Sequence, residues 1–198
     1  MGVGWADMSY QEKAAAGSGA VVFAMALLFV FLILAAQYES WTLPISVLAG
    51  TPIAVFGAVG GLWLARFFSE SYVNNVFAQI GLVMLIGMAA KNAILIVEFA
   101  KIKFDEGLSL FDSALESAKL RFRPILMTAF SFILGILPLI TASGSGAEAR
   151  KVMGMALLGG MGVATFLGIL LYPMLFVLVG KVARFEQKRD LANKTIEA

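Results

Sequence analysis

The stretch Val76–Ala100, VFAQIGLVMLIGMAAKNAILIVEFA, decides how the rest of the chain is read. It stays apolar for longer than the roughly 20 helical residues that cross a hydrocarbon core of about 30 Å. Its apolar run is continuous and rich in Ala, Leu and Gly. Strands of a membrane barrel instead alternate apolar and polar residues over about ten positions. The stretch therefore reads as a membrane-spanning helix, and it carries Lys91 and Asn92 close to its midpoint.

Working outward, four more stretches have the same character: Ala20–Gln37, Leu43–Ala65, Pro124–Thr141 and Val152–Val182. The last is long enough to tilt or to extend past the bilayer. Pro44, Pro52, Pro138 and Pro173 fall within or at the ends of these runs. A membrane bundle tolerates them, because neighbouring helices satisfy the freed backbone groups. Composition agrees: 60% of the 198 residues are hydrophobic and 14% charged, against about a quarter charged in soluble domains. The expected fold is an all-α polytopic transmembrane bundle of five spans over residues 19–182, with a polar lead-in, 1–18, and a polar tail, 183–198.

The connections differ in kind. YESW (Tyr38–Trp41) reads as a tight turn with aromatics at the interface level. RFFSESYVNN (Arg66–Asn75) reads as a short polar loop, and ASGSGAEARK (Ala142–Lys151) as a flexible one. Between the third and fourth spans, LSLFDSALESAKLRF places Leu108, Phe111, Leu115, Ala118 and Phe122 on one helical face. Ser109 with Asp112 resembles a capping box. These features predict an amphipathic helix near 108–122 lying in the interface plane.

Basic residues set an orientation. Lys101, Lys103, Lys119, Arg121 and Arg123 lie after the third span, and Lys181, Arg184, Lys188, Arg189 and Lys194 lie at the C-terminus. The other side of a five-span chain holds Lys13, Arg66, Arg150 and Lys151. The positive-inside rule puts the tail in the cytoplasm and the N-terminus outside. The first residues, MGVGWADMSYQEKAAAGSG, lack the apolar block of a secretory signal. An external N-terminus without a signal predicts that the natural chain begins further upstream.

Several chemistries are excluded. The chain has no cysteine and no histidine, so disulfides, Cys/His zinc sites and histidine acid–base catalysis are absent. GGMGVATFLG has no preceding strand and no Lys-Ser/Thr partner, so it is not a phosphate-binding loop. No basic stripe interleaved with aromatics points to nucleic acid. The expectation is a protein that is not an enzyme and holds no cofactor or metal. The glycines read as packing residues instead: Gly57-x-x-x-Gly61, and Gly154, Gly159, Gly160, Gly162 and Gly168, let helices approach closely.

Lys91 is the costly residue. It sits about 5 Å from the midpoint of its span, on the cytoplasmic side. A lysine at the centre of a span costs roughly 2.5–3.5 kcal/mol on insertion scales. Snorkelling from this depth must reach over about two helical turns, farther than a lysine stem comfortably extends. The better reading is that Lys91 faces the bundle interior, where Gly87, one turn earlier on the same face, leaves room for a helix or water. Yet no Asp or Glu lies at mid-depth in any of the five spans. Glu98 shares the face of Lys91 but lies about 10 Å along the axis, at the cytoplasmic edge. Glu39, Glu70 and Glu148 are in loops. Either the amine is neutral in its apolar surroundings, or its partner comes from another polypeptide segment. Thr128, about one turn into the fourth span, is a second candidate, although a threonine bonding back to its own helix is the common arrangement. Arg121 lies seven residues before it, on the same face at the cytoplasmic mouth, where it also serves as a positive-inside anchor.

GMAAKNAILIVEFAK (Gly87–Lys101), followed by RFRPILMTAFSFILGILPL and preceded by MSYQE and QYESW, resembles the C-terminal end of a resistance–nodulation–division (RND) transporter. It is similar to the inner-membrane multidrug pumps of the hydrophobe/amphiphile efflux branch. The resemblance implies a twelve-span pump in two repeats, of which this chain matches the tail of the second periplasmic insert and the final five spans. That is the second repeat lacking its first helix. It implies drug/proton antiport in the bacterial inner membrane. Lys91, Thr128 and Arg121 match the proton-relay lysine, hydroxyl and arginine, with Asn92 and Gly87 in support. The aspartate pair that faces the lysine would come from the N-terminal half. A homotrimer, a periplasmic adaptor, an outer-membrane channel and hydrophobic or amphiphilic drugs as substrates are implied in the same way, along with contact to membrane lipids. The alternative is an independently folded accessory or structural membrane protein that associates with a pump or another membrane partner. A small channel is a weaker reading, since no ring of acids or filter-like motif is present.

Overall fold

The computed structural model describes residues 19–67, 72 and 75–183. The expected periplasmic tail, 1–18, the cytoplasmic tail beyond Ala183 and most of the loop between the second and third spans lie outside the described residues. Among the described residues six helices follow in order: α1 (Gly19–Tyr38), α2 (Thr42–Leu48), α3 (Thr51–Arg66), α4 (Val76–Asp105), α5 (Leu110–Ile140) and α6 (Ala147–Val182). No strand occurs among the described residues. With α2 and α3 taken together as Thr42–Arg66, five helices among the described residues are long and apolar enough to cross a membrane. The protein is a multi-pass, all-α membrane bundle.

The second span is discontinuous. Pro52, in the first turn of α3, has no N–H to offer the Leu48 carbonyl, so the ladder is interrupted there. Ala49 and Gly50 keep right-handed helical dihedrals. The chain therefore continues in its direction through tighter bonds, Gly50 N–H to Val47 O at 3.4 Å and Ile53 N–H to Gly50 O at 3.2 Å. Tyr172 of α6 packs against this break, and a Cβ on Gly50 would fall 2.1 Å from its ring.

α6 is the hub, packing on α3, α4 and α5. In a bilayer the hydrophobic effect does not drive helices together, so close packing has to. At the α3–α6 crossing a Cβ on Gly57 would lie 2.7 Å from the Gly159 carbonyl oxygen, and one on Gly61 would lie 2.9 Å from the Gly159 Cα. Gly154 sits against Leu139 and Ile140, and Gly160 against Leu85. Gly162, expected to pack in the same way, faces open space. α1 is peripheral, with Leu34 its buried residue.

Three boundaries differ from the sequence reading. The interfacial helix near 108–122 and the span near 124–141 are one unbroken helix, Leu110–Ile140. Pro124 removes only its own bond to the Leu120 carbonyl and does not end the helix. The start of α5 is capped as expected: Ser109 Oγ accepts from Asp112 N–H at 3.1 Å and donates to the Asp112 carboxylate at 2.7 Å. The third span continues past Ala100 to Asp105, with a Lys101–Asp105 ion pair one turn apart and Gly107 in a left-handed conformation beyond it. The loop expected over Ala142–Lys151 closes early, because α6 begins at Ala147. Gly144 and Gly146 supply the left-handed turn before it.

Candidate functional site

α4 is positioned at both ends. The Asn75 side chain accepts from Ala78 N–H at 3.0 Å and starts the helix. Toward its C-terminal end Ser117 Oγ of α5 donates to the Ile96 carbonyl at 2.6 Å, a buried link between the two helices. Between these points α4 has two sides. Ala89, Ala90, Asn92, Ala93, Ile96 and Val97 are buried. Ile80, Met84, Gly87, Lys91, Glu98 and Ile102 are exposed and fall within about 60° of one another at 3.6 residues per turn.

Lys91 thus stands on the open face of α4. It makes no hydrogen bond and no ion pair among the described residues. A Cβ on Gly87, one turn away, would meet nothing within 4 Å. The carboxylates that do form pairs are at the helix ends: Lys103 reaches Glu106 at 2.7 Å and Glu116 at 3.9 Å, and Lys151 reaches Glu148 at 4.0 Å. Asn92 is turned about 100° from Lys91 and is 2% exposed, and its Nδ2 has no partner among the described residues. It faces the core and not the open face.

On α5, Thr128 is exposed, and its Oγ1 donates to the Ile125 carbonyl at 2.9 Å, the back-bonded arrangement. Arg121 is half-buried, its guanidinium stacked 4.5 Å from the centre of the Phe99 ring of α4. Its Nε is buried without a partner among the described residues. The structure therefore brings Arg121 onto α4, but no hydrogen bond or ion pair joins Lys91, Thr128 and Arg121. Ser131 was not singled out from the sequence. It is exposed on the stripe that holds Thr128, and its i+3 spacing was the signal available. No cluster of three metal-ligating side chains occurs among the described residues.

Lys91 is thus a cation on the open face of a helix in a multi-pass membrane protein, with no acid paired to it among the described residues. The chain belongs to the AcrB/AcrD/AcrF family, whose model matches residues 1–180. It is 45% identical over 92% of its length to the toluene efflux pump membrane transporter TtgB of Pseudomonas putida. It is 42% identical over 94% to the multidrug resistance protein MdtF of Escherichia coli, and 43% identical over 90% to the multidrug export protein AcrF of the same species. The matched region spans 17% of TtgB and AcrF and 18% of MdtF. The RND resemblance carried by GMAAKNAILIVEFAK and RFRPILMTAFSFILGILPL stands with these matches.

Proposed function

We propose that this chain acts as part of a proton-driven efflux pump of the bacterial inner membrane and contributes Lys91, Thr128 and Arg121 to its proton relay. The observation that carries this reading is the isolation of Lys91 on an open helix face beside Gly87. An unpaired ammonium at that depth is costly, and a carboxylate pair on a covering segment would offset the cost. The N-terminal portion of the transporter supplies that pair. With both carboxylates ionised, Lys91 is held by them. When a proton arrives on one, the attraction weakens, Lys91 is released, and α4 and α5 shift against the covering segment. Arg121, stacked on Phe99 about two turns before Thr128, stands at the cytoplasmic mouth of the path, and Thr128 exchanges its Ile125 bond for one to the relay.

The C-terminus lies in the cytoplasm and the N-terminus in the periplasm, a reading supported by the basic residues after α4. The pump works as a homotrimer with a periplasmic adaptor and an outer-membrane channel. Its substrates are hydrophobic or amphiphilic, in keeping with the solvent and multidrug exporters it resembles. The chain alone transports nothing and catalyses no reaction. In a full-length transporter that carries this sequence, Lys91→Ala abolishes export while the amount in the membrane is unchanged. Near-normal export from that variant removes Lys91 from the relay.

A further inference from the structure

Hydroxyl side chains in membrane helices close on their own carbonyls or reach a neighbouring helix, because hydrocarbon offers no other partner. Along α5 this holds for Ser113, which donates to Ser109 O at 2.7 Å, for Ser117, which donates to Ile96 O at 2.6 Å, and for Thr128. Ser131 is the exception. It is exposed, and its hydroxyl has no partner among the described residues.

The exposed surface of α5 divides chemically. Met127, Phe130, Leu134 and Leu137 form a large apolar side suited to acyl chains. Pro124, Thr128, Ser131, Gly135 and Pro138, all exposed, form a second stripe about 80° wide on a helix of 3.6 residues per turn. Open space surrounds a Cβ added at Gly135. Ser131 lies about 4.5 Å beyond Thr128, farther from the cytoplasmic end. An unpartnered hydroxyl costs free energy in hydrocarbon, and here it lies on the side of α5 that large apolar residues avoid.

We propose that Ser131 is a further positioning residue of the proton path, its hydroxyl holding a water molecule one turn beyond Thr128. This rests on the relay reading above. The water donates one proton toward the carboxylate pair and accepts another from the water behind it, so no net charge stays on it. Ser131 itself stays protonated and fixes the orientation of that water.

Threonine and valine have the same shape and differ by the hydroxyl, so Ser131→Thr and Ser131→Val isolate the hydroxyl from packing. In a full-length transporter carrying this sequence, Ser131→Val exports roughly three- to tenfold more slowly than Ser131→Thr, the loss of about one hydrogen bond. Equal rates for the two variants overturn the proposal, whether both are fast or both are slow. Lys91→Ala, measured beside them, separates the two ideas. An active Lys91→Ala refutes the relay itself, whereas an inactive one with equal Ser131 variants refutes only the role of Ser131. Because this sequence has no cysteine, Ser131→Cys and Leu134→Cys each add a single thiol to it. A small water-soluble thiol reagent must label position 131 in the assembled transporter and spare 134, and equal labelling also overturns the proposal.

Discussion

Lys91, Asn92 and Arg121 meet the same constraint in three ways. Each is a polar group on a helix of the bundle with little to bond. Lys91 remains on an open face, Asn92 is buried with a free Nδ2, and Arg121 lies on the ring of Phe99. A cation over an aromatic face is worth about 0.5–1 kcal/mol at partly exposed sites. In a double-mutant cycle of Arg121→Ala and Phe99→Leu, unfolding in detergent is expected to give a coupling of that size. Additive losses place the stability contribution of Arg121 elsewhere. The lack of an acid beside Lys91 was legible from sequence, because counting acids at mid-depth needs only span boundaries. Adjacency in sequence did not give the orientation of Asn92, since neighbours on a helix point about 100° apart. Ser131 escaped notice because a lone serine in an apolar helix ordinarily bonds back to its own backbone, and only the coordinates show that it does not.

At the scale of the element, span number and helical type follow from length and continuous apolarity, and those are plain in the sequence. Where helices stop is not. Pro52 interrupts the second span and Pro124 leaves α5 intact, although both are prolines in apolar surroundings. Exposure does not separate them, since both prolines are exposed; what differs is Gly50 two residues before Pro52, where the Tyr172 ring packs against the break. The glycines of α6 divide similarly. Gly159→Ala drives a methyl into the α3 backbone at Gly57 and Gly61 and is expected to destabilise by about 1–3 kcal/mol. Gly162→Ala meets nothing and raises stability by up to about 1 kcal/mol through helix propensity. Thermal unfolding of the two variants in one detergent checks the opposite signs. A loss at Gly162 as large as that at Gly159 refutes the packing assignment.

For the whole molecule, the open faces of α4 and α5 matter most. Lys91 and Gly87 on one helix, and Thr128, Ser131 and Gly135 on the other, are small or polar residues left uncovered. The large apolar residues Met127, Phe130 and Leu134 take the opposite role on α5. In the proposed pump, a covering segment brings acids to the first face and makes Lys91 half of a charge-coupled switch. The most direct test is proton-coupled drug efflux in proteoliposomes that hold this chain alone, or this chain with the aspartate-bearing N-terminal portion of a full-length transporter. No flux from the chain alone is predicted, with coupled flux restored by the N-terminal portion and lost again in Lys91→Ala. Efflux from the chain alone, or flux from the pair that survives Lys91→Ala, would contradict the account.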